Sequence, residues 1–305
     1  MTKILLIINP VSGRQKARTI LYRIIDHLCR NNCKITIFIT KGRGDATEIV
    51  KDHGAEHDKI ICCGGDGTLN EVFTGIVSSG FNLPVGYIPT GTSNDFARSL
   101  GLKNNSLKST LDITLHGKEQ YLDIGTFNTE KYFSYVTAFG AFSKAAYGTP
   151  QWLKNHVGRV SYFFYGLSEL ADIRPYYTKI IADDIKIEGD FVLGAISNST
   201  VFGSMPIYPE RSIVLDDGKF EILLVKPVKS PKNLQDILQG ILMHEYNEDS
   251  VIVLTASQIT ILFEEKAPWT IDGEYAGELN SVQISNIHRS AKVLIPNPQA
   301  ASERT

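Results

Sequence analysis

Long apolar runs are missing from this sequence. Nowhere do uninterrupted apolar residues approach the ~20 that a helix needs to cross a bilayer. The N-terminal stretch MTKILLIINPVSG carries one lysine and only five consecutive apolar residues, too few for the core of a signal peptide. A meeting with a membrane is therefore expected at its surface. Cysteine is scarce: Cys29, Cys33, Cys62 and Cys63 are the four in 305 residues. No His/Cys set with finger-like spacing accompanies the first pair, and adjacent Cys62-Cys63 inside an apolar run reads as small core filler. Neither a zinc site nor a disulfide framework is expected, and a reducing cytoplasm is the compartment this composition suits. An excess of one charge is also lacking. With 31 basic and 33 acidic residues the net charge is −2, which argues against a dedicated nucleic-acid binder. Two phosphate signatures are absent as well: there is no G-x-x-x-x-G-K-[ST], and no G-x-G-x-x-G follows the first strand.

What is present falls into two halves. In the first, apolar strands alternate with helical runs: KILLII, then a helix over Arg14–Arg30; KITIFIT, then a short helix from Asp45 to His53; KIICC, then a helix over Thr68–Ser78; PVGYIP, then a helix opening at Asp95. Strands apolar on both faces and separated by helices predict a doubly wound, mostly parallel sheet. From about Asp123 the pattern becomes alternating strands with polar turns, a largely antiparallel sandwich or barrel. Two helices interrupt it, over Val157–Ile173 and Lys232–His244. The expected division is residues 1–124 and 125–290, with the tail 291–305 packing back on the first domain. Function is expected at the cleft of two such domains.

Ligands of open parallel sheets bind at the carboxyl ends of the strands. Glycines gather there in NPVSG (Asn9 to Gly13), GGDGT (Gly64 to Thr68) and PTGTSND (Pro89 to Asp95). Glycine lets backbone N–H groups approach phosphate oxygens, and Ser12, Thr68, Thr92 and Ser93 offer hydroxyls. Three such loops on one edge point to a polyphosphate. Asp66 has two readings. It caps the helix that starts near Thr68, or it sits beside phosphate with a Mg²⁺ ion or a reacting hydroxyl between them.

NPVSG, GGDGTLNEV and PTGTSNDFAR, in this order and spacing, resemble the bacterial diacylglycerol kinase and lipid kinase family, related to sphingosine kinases and NAD kinases. YLDIG (Tyr121 to Gly125), DDGKFEI (Asp216 to Ile222) and TIDGE (Thr270 to Glu274) extend the match over nearly the whole chain. The resemblance implies an NAD kinase-like α/β domain followed by a β-sandwich. It implies transfer of the γ-phosphate of ATP to a lipid hydroxyl, with diacylglycerol or a similar lipid as acceptor. Asn9, Pro10, Val11, Ser12, Gly13, Thr40, Gly64, Gly65, Asp66, Gly67, Thr68, Leu69, Asn70 and Thr92 would hold the nucleotide. Asp66, with Asp95 and Asp123, would organise Mg²⁺·ATP. Glu274 matches the presumed general base, with Asp66 as its rival; the residues alone read Glu274 as a strand-end turn position. A structural Mg²⁺ is implied at the Asp217 carboxylate and the carbonyls of Val214 and Lys219, where the residues alone read as a D-D-G hairpin turn.

The sequence departs from the family in two places. NSTVFGSMPIYP keeps only Gly203 of a glycine triplet, and Arg159 stands where relatives carry a lysine. Residues 127 to 177 hold 14 of the 29 aromatics, among them Phe139, Phe142, Trp152 and the run Tyr162 to Tyr165, as core or as an acyl-chain groove. Arg14, Lys16, Arg18, Lys41 and Arg43 are a solvated face or a guide for anionic headgroups and ATP. The expectation is a cytoplasmic lipid kinase visiting the membrane surface, with a homodimer left open. The alternatives are an NAD kinase, or a nucleotide-binding regulator whose catalysis has lapsed.

Overall fold

The computed structural model describes residues 1–13, 16–92, 94–102, 105–141, 174–199, 201–202, 205–206 and 213–297. The helix expected over Val157–Ile173, with Phe142, Trp152, Arg159 and the run Tyr162 to Tyr165, lies outside them. So do Arg14, Ser93, Gly203 and the last eight residues of the tail. The chain divides into two compact units, Met1–Leu122 with Arg289–Thr305, and Asp123–His288.

The first unit runs β1 (Thr2–Ile8), α1 (Lys16–Arg30), β2 (Cys33–Ile39), α2 (Asp45–His53), β3 (Lys59–Gly64), α3 (Asp66–Ser79), β4 (Pro84–Pro89), α4 (Asp95–Ser99) and α5 (Leu107–His116). Its strands lie in the order β2-β1-β3-β4 and every pair is parallel. Ile4 to Ile8 of β1 and Ile60 to Cys63 of β3 are buried, as expected of strands covered on both faces. Ala17, Ile24 and Leu28 of α1 pack on Ile4, Leu6, Ile61 and Cys63, so one stripe of an amphipathic helix covers one face of the sheet. Burial pushes the Cys63 thiol up to about 12, the behaviour of inert core filler. The chain goes from β1 outward to β2 and returns on the other side of β1 to β3. The direction of winding therefore reverses between β1 and β3, which makes the ends of those strands the switch point.

The second unit contains β6 (Lys131–Phe133), β7 (Val136–Gly140), β8 (Tyr176–Ala182), β9 (Ile185–Phe191), β10 (Leu193–Ser197), the short pair β11 (Val201–Phe202) and β12 (Met205–Pro206), β13 (Phe220–Val225), α6 (Pro231–Met243), β14 (Val251–Ala256) and β15 (Gln258–Ile271). Two strands are shared between the units along the chain: β5 (Lys118–Phe127) carries it from the first to the second, and β16 (Glu274–Ile295) brings it back. The pairing is antiparallel throughout β14-β13-β10-β7-β15 and β15-β8-β9. One half of β15 pairs with β8 and the other with β7, and register shifts between Leu262 and Ala267 mark where it changes partner. Trp269, Phe139, Phe263 and Phe127 meet in the sandwich core at centroid distances of 4.8 to 6.0 Å. Phe127 and Phe139 are thus core rather than groove lining. Helix α6 opens one residue before the expected Lys232: the Ser230 hydroxyl accepts from Asn233 N at 3.1 Å with Pro231 in the first turn. The expected fold class, a parallel α/β domain followed by an antiparallel sandwich, is what the chain adopts.

Candidate active site

The three glycine-bearing loops meet where β1, β3 and β4 end. Asn9 organises the first. Its Oδ1 accepts from Val11 N at 3.1 Å, closing a side-chain turn, and its Nδ2 donates to Thr68 Oγ1 at 2.9 Å, reaching the second loop. The third loop is tied in by Thr90, whose N–H donates to the Gly64 carbonyl at 2.8 Å and whose hydroxyl donates to Ser12 Oγ at 3.1 Å. Ser12 and Thr68 are buried, and Thr68 accepts from the Asn9 amide, so it keeps its own proton for donation.

Glycine is required by contact here, not by habit. Gly13 has φ +52, and a Cβ on it would lie 1.7 Å from the Thr90 carbonyl oxygen. A Cβ on Gly91 would lie 2.7 Å from the Gly65 Cα, so the second and third loops touch backbone to backbone. The result is a rim of closely packed backbone with few side chains, a surface that phosphate oxygens can approach. Thr40 ends β2 beside it, with its N–H on the Ile8 carbonyl at 2.9 Å. Leu69 is buried and supports the loop from below, Asn70 is half-buried, and Gly67, Val11 and Thr92 are exposed.

Asp66 does not cap the helix it begins. Helix α3 starts at Asp66 itself, two residues before the expected Thr68, with Gly65 as its cap and no side-chain cap bond. Instead the Asp66 Oδ2 accepts from Asp95 N at 2.8 Å, at the start of α4, and Tyr87 of β4 donates its hydroxyl to Oδ1 at 3.3 Å. The second loop thereby holds the start of the third loop's helix. Asp95 is buried. Glu71, one turn further along α3, serves α2 in the same way: Gly44 N and Ala46 N donate to its two oxygens at 2.8 and 3.2 Å.

In the second unit, Glu274 follows the tight turn between β15 and β16 and its side chain is exposed. Asp272, two residues earlier, is buried under four donors: Ser134 N, Ser134 Oγ, Tyr135 N and Val136 N. Burial pushes its carboxyl up to about 6 against the pull of those bonds. Asp123 belongs to this unit. Its carboxylate accepts from Gly218 N at 2.6 Å and Asn286 Nδ2 at 3.2 Å, and Asn198 Nδ2 bridges the Asp123 and Leu215 carbonyls at 3.0 Å each.

The loop carrying Asp217 fits a hard cation. Protein donors engage the carbonyls of Leu215, Asp216 and Gly218, which are not the ones the resemblance implies as ligands. The buried Oδ1 atoms of Asn198 and Asn286, beside that loop, meet no donor among the described residues. Orphaned acceptors at this depth suit a hydrated ion's water. Among the described residues no three His, Cys, Asp or Glu side chains gather as a metal site. Glu221, in the neighbouring strand β13, has a buried Oε2 without a partner among the described residues, and burial pushes its carboxyl up to about 8.

Sequence reasoning missed Glu71, Tyr87, Thr90 and Asp272. Glu71 and Asp272 stand inside the motifs GGDGTLNEV and TIDGE and were open to notice, while Tyr87 looked like any strand residue.

Residues 3–127 match the family profile described as the diacylglycerol kinase catalytic domain, and residues 139–293 that of the YegS C-terminal NAD kinase beta sandwich-like domain. A diacylglycerol kinase of Bacillus subtilis (strain 168) is 29% identical over 302 residues, covering 98% of this chain and 98% of its own. One of Staphylococcus aureus (strain MRSA252) is 31% identical over 300 residues, covering 96% and 92%. A crystal structure of a diacylglycerol kinase from Bacillus anthracis str. Sterne superposes with a TM-score of 0.75 at 25% identity, covering 98% of each chain. A second structure from that organism reaches 0.81 at 27% identity, over 98% of this chain and 96% of its own. Sharing sequence with these kinases along nearly its whole length, and their fold in both halves, the chain belongs to the diacylglycerol kinase family.

Proposed function

We propose that the chain is an ATP-dependent lipid kinase, moving the γ-phosphate of Mg²⁺·ATP to the hydroxyl of diacylglycerol or a similar lipid alcohol. The observation that carries this reading is the contact of three side-chain-poor loops at the β1/β3 switch point, where Gly13, Gly65 and Gly91 bring backbone against backbone. In this reading Asn9 to Gly13, Thr40, Gly64 to Asn70 and Thr92 hold the nucleotide. Asp66, with Asp95 and Asp123, would organise Mg²⁺·ATP, the cation's charge offsetting the repulsion between carboxylate and phosphate. Glu274 takes the acceptor's hydroxyl proton while that oxygen forms its bond to the γ-phosphorus and the bond to the β–γ bridging oxygen breaks, leaving ADP. The family's structural Mg²⁺ would be held by Asp217 and the carbonyls of Val214 and Lys219, where it would stiffen the loop that Asp123 also anchors. Among the described residues no helix is long and apolar enough to cross a membrane. The lipid is accordingly met at the membrane surface.

The test is transfer from γ-labelled ATP with Mg²⁺ to a panel of detergent-dispersed lipids, with NAD as a parallel acceptor. Label in diacylglycerol or another lipid alcohol is the expected result and names the acceptor class. Label in NAD alone, or bound ATP with no transfer to any acceptor, overturns the proposal.

A further inference from the structure

We propose that Asp272 is a positioning residue for Glu274, its carboxylate fixing the hairpin tip that presents the Glu274 side chain. The inference rests on the reading of Glu274 as the base. Asp272 and Gly273 are the two central residues of the β15–β16 hairpin, whose flanking pair is Ile271 and Glu274. Both central residues have positive φ, +47 and +83, the requirement of a type I′ turn. Asn-Gly satisfies that turn as well as Asp-Gly does, so turn chemistry gives no reason for a charge. Yet this carboxylate is only 8% exposed, a costly place for one.

Its surroundings supply the reason. Oδ2 accepts from Ser134 N at 2.8 Å and Ser134 Oγ at 3.0 Å, and Oδ1 from Tyr135 N at 3.1 Å and Val136 N at 3.0 Å. Asp272 N returns a bond to the Val136 carbonyl at 2.8 Å. Three of the four groups facing the carboxylate are backbone N–H groups that can only donate, one at Oδ2 and two at Oδ1, so only a group that accepts at both oxygens satisfies them. An asparagine keeps the turn but turns an amide proton against at least one of the three backbone N–H groups, which can only donate. The segment entering β7 therefore grips the tip of a hairpin from 136 to 138 residues away, and the exposed Glu274 stands two residues past the grip. A tip held at one oxygen, or at none, swings the Glu274 carboxylate by the kind of displacement that costs about 100-fold in rate.

The experiment uses the full chain and 1,2-dioleoylglycerol in mixed micelles, reading kcat, the KM for ATP and the thermal midpoint of Asp272→Asn, Glu274→Gln, the double variant and Ser134→Ala. Glu274→Gln should retain only a small residual rate. Asp272→Asn should lower kcat by roughly 10- to 100-fold with an unchanged KM for ATP, and the double variant should be no slower than Glu274→Gln alone. Ser134→Ala, which leaves the backbone donors in place, should show a smaller loss of kcat in the parent and none in the Glu274→Gln background. If Asp272→Asn fails to fold, that Ser134 pair carries the test. Full kcat in Asp272→Asn beside an inactive Glu274→Gln overturns the positioning role alone. So do losses that multiply in the double variant, or a Ser134→Ala loss of equal size in both backgrounds. Full activity in Glu274→Gln overturns the base reading, and the positioning role with it.

Discussion

The carboxylate of Asp66 accepts the backbone N–H of Asp95 at 2.8 Å, so the aspartate of one glycine-bearing loop caps the short helix that follows another. Capping needs an acceptor oxygen, whereas organising a cation needs the charge. Asp66→Asn keeps the first and removes the second. Both Asp66→Asn and Asp66→Ala should abolish phosphate transfer, but only the alanine should also lose about 1 kcal/mol of stability. Parallel activity assays and denaturant titrations separate the two. A fully active Asp66→Asn would take its charge out of the mechanism.

Gly13 is held at φ +52 against the Thr90 carbonyl. Gly13→Ala forces the first and third loops apart. Its KM for ATP should rise tenfold or more, and stability should fall by about 1 kcal/mol or more from the positive φ alone. Nucleotide binding by calorimetry is the direct reading, and parent-like affinity would mean that the loop contact is not part of the nucleotide site.

Glu71 supplies the start of α2 with the acceptors that its cap residue, Gly44, cannot. Glu71→Ala should cost about 1–2 kcal/mol, with kcat unchanged where the protein remains folded. A variant that melts like the parent would show that water replaces the cap without loss.

Without a bound cation, the Glu221 carboxyl is raised from 4.5 to about 8, chiefly by burial and further by the nearby Asp217 charge. The folded chain then holds this proton more tightly than the unfolded chain. The group's contribution is therefore most favourable below about 4.5 and is lost progressively as the pH rises toward 8. Glu221→Met removes the titration, and its stability relative to the parent should climb between pH 5 and pH 8, by on the order of 1–3 kcal/mol. Guanidinium unfolding at both pH values measures the difference. A pH-independent difference would mean that Glu221 is charged in the fold.

Much of this molecule is legible in its residues. The buried strands Ile4 to Ile8 and Ile60 to Cys63 announce a parallel sheet because both faces are apolar, and the glycines that end them announce backbone crowding. The same reading missed that helix α3 begins inside the GGDG turn, because an aspartate before a helix looks alike as cap and as first-turn residue. It also counted Phe127 and Phe139 among aromatics of two possible fates, and only their contacts with Trp269 decide for the core.

Local chemistry settled the elements of this protein, their order and the loops that bear its family's motifs, since periodicity and turn propensity act over a few residues. Tertiary structure alone decided what each carboxylate does. Asp66 finds its donor 29 residues away, Glu71 finds its donors 25 and 27 away, and Asp272 finds its clamp 136 to 138 away. A carboxylate takes whichever N–H groups the fold leaves beside it, and that juxtaposition belongs to packing rather than to any stretch of sequence.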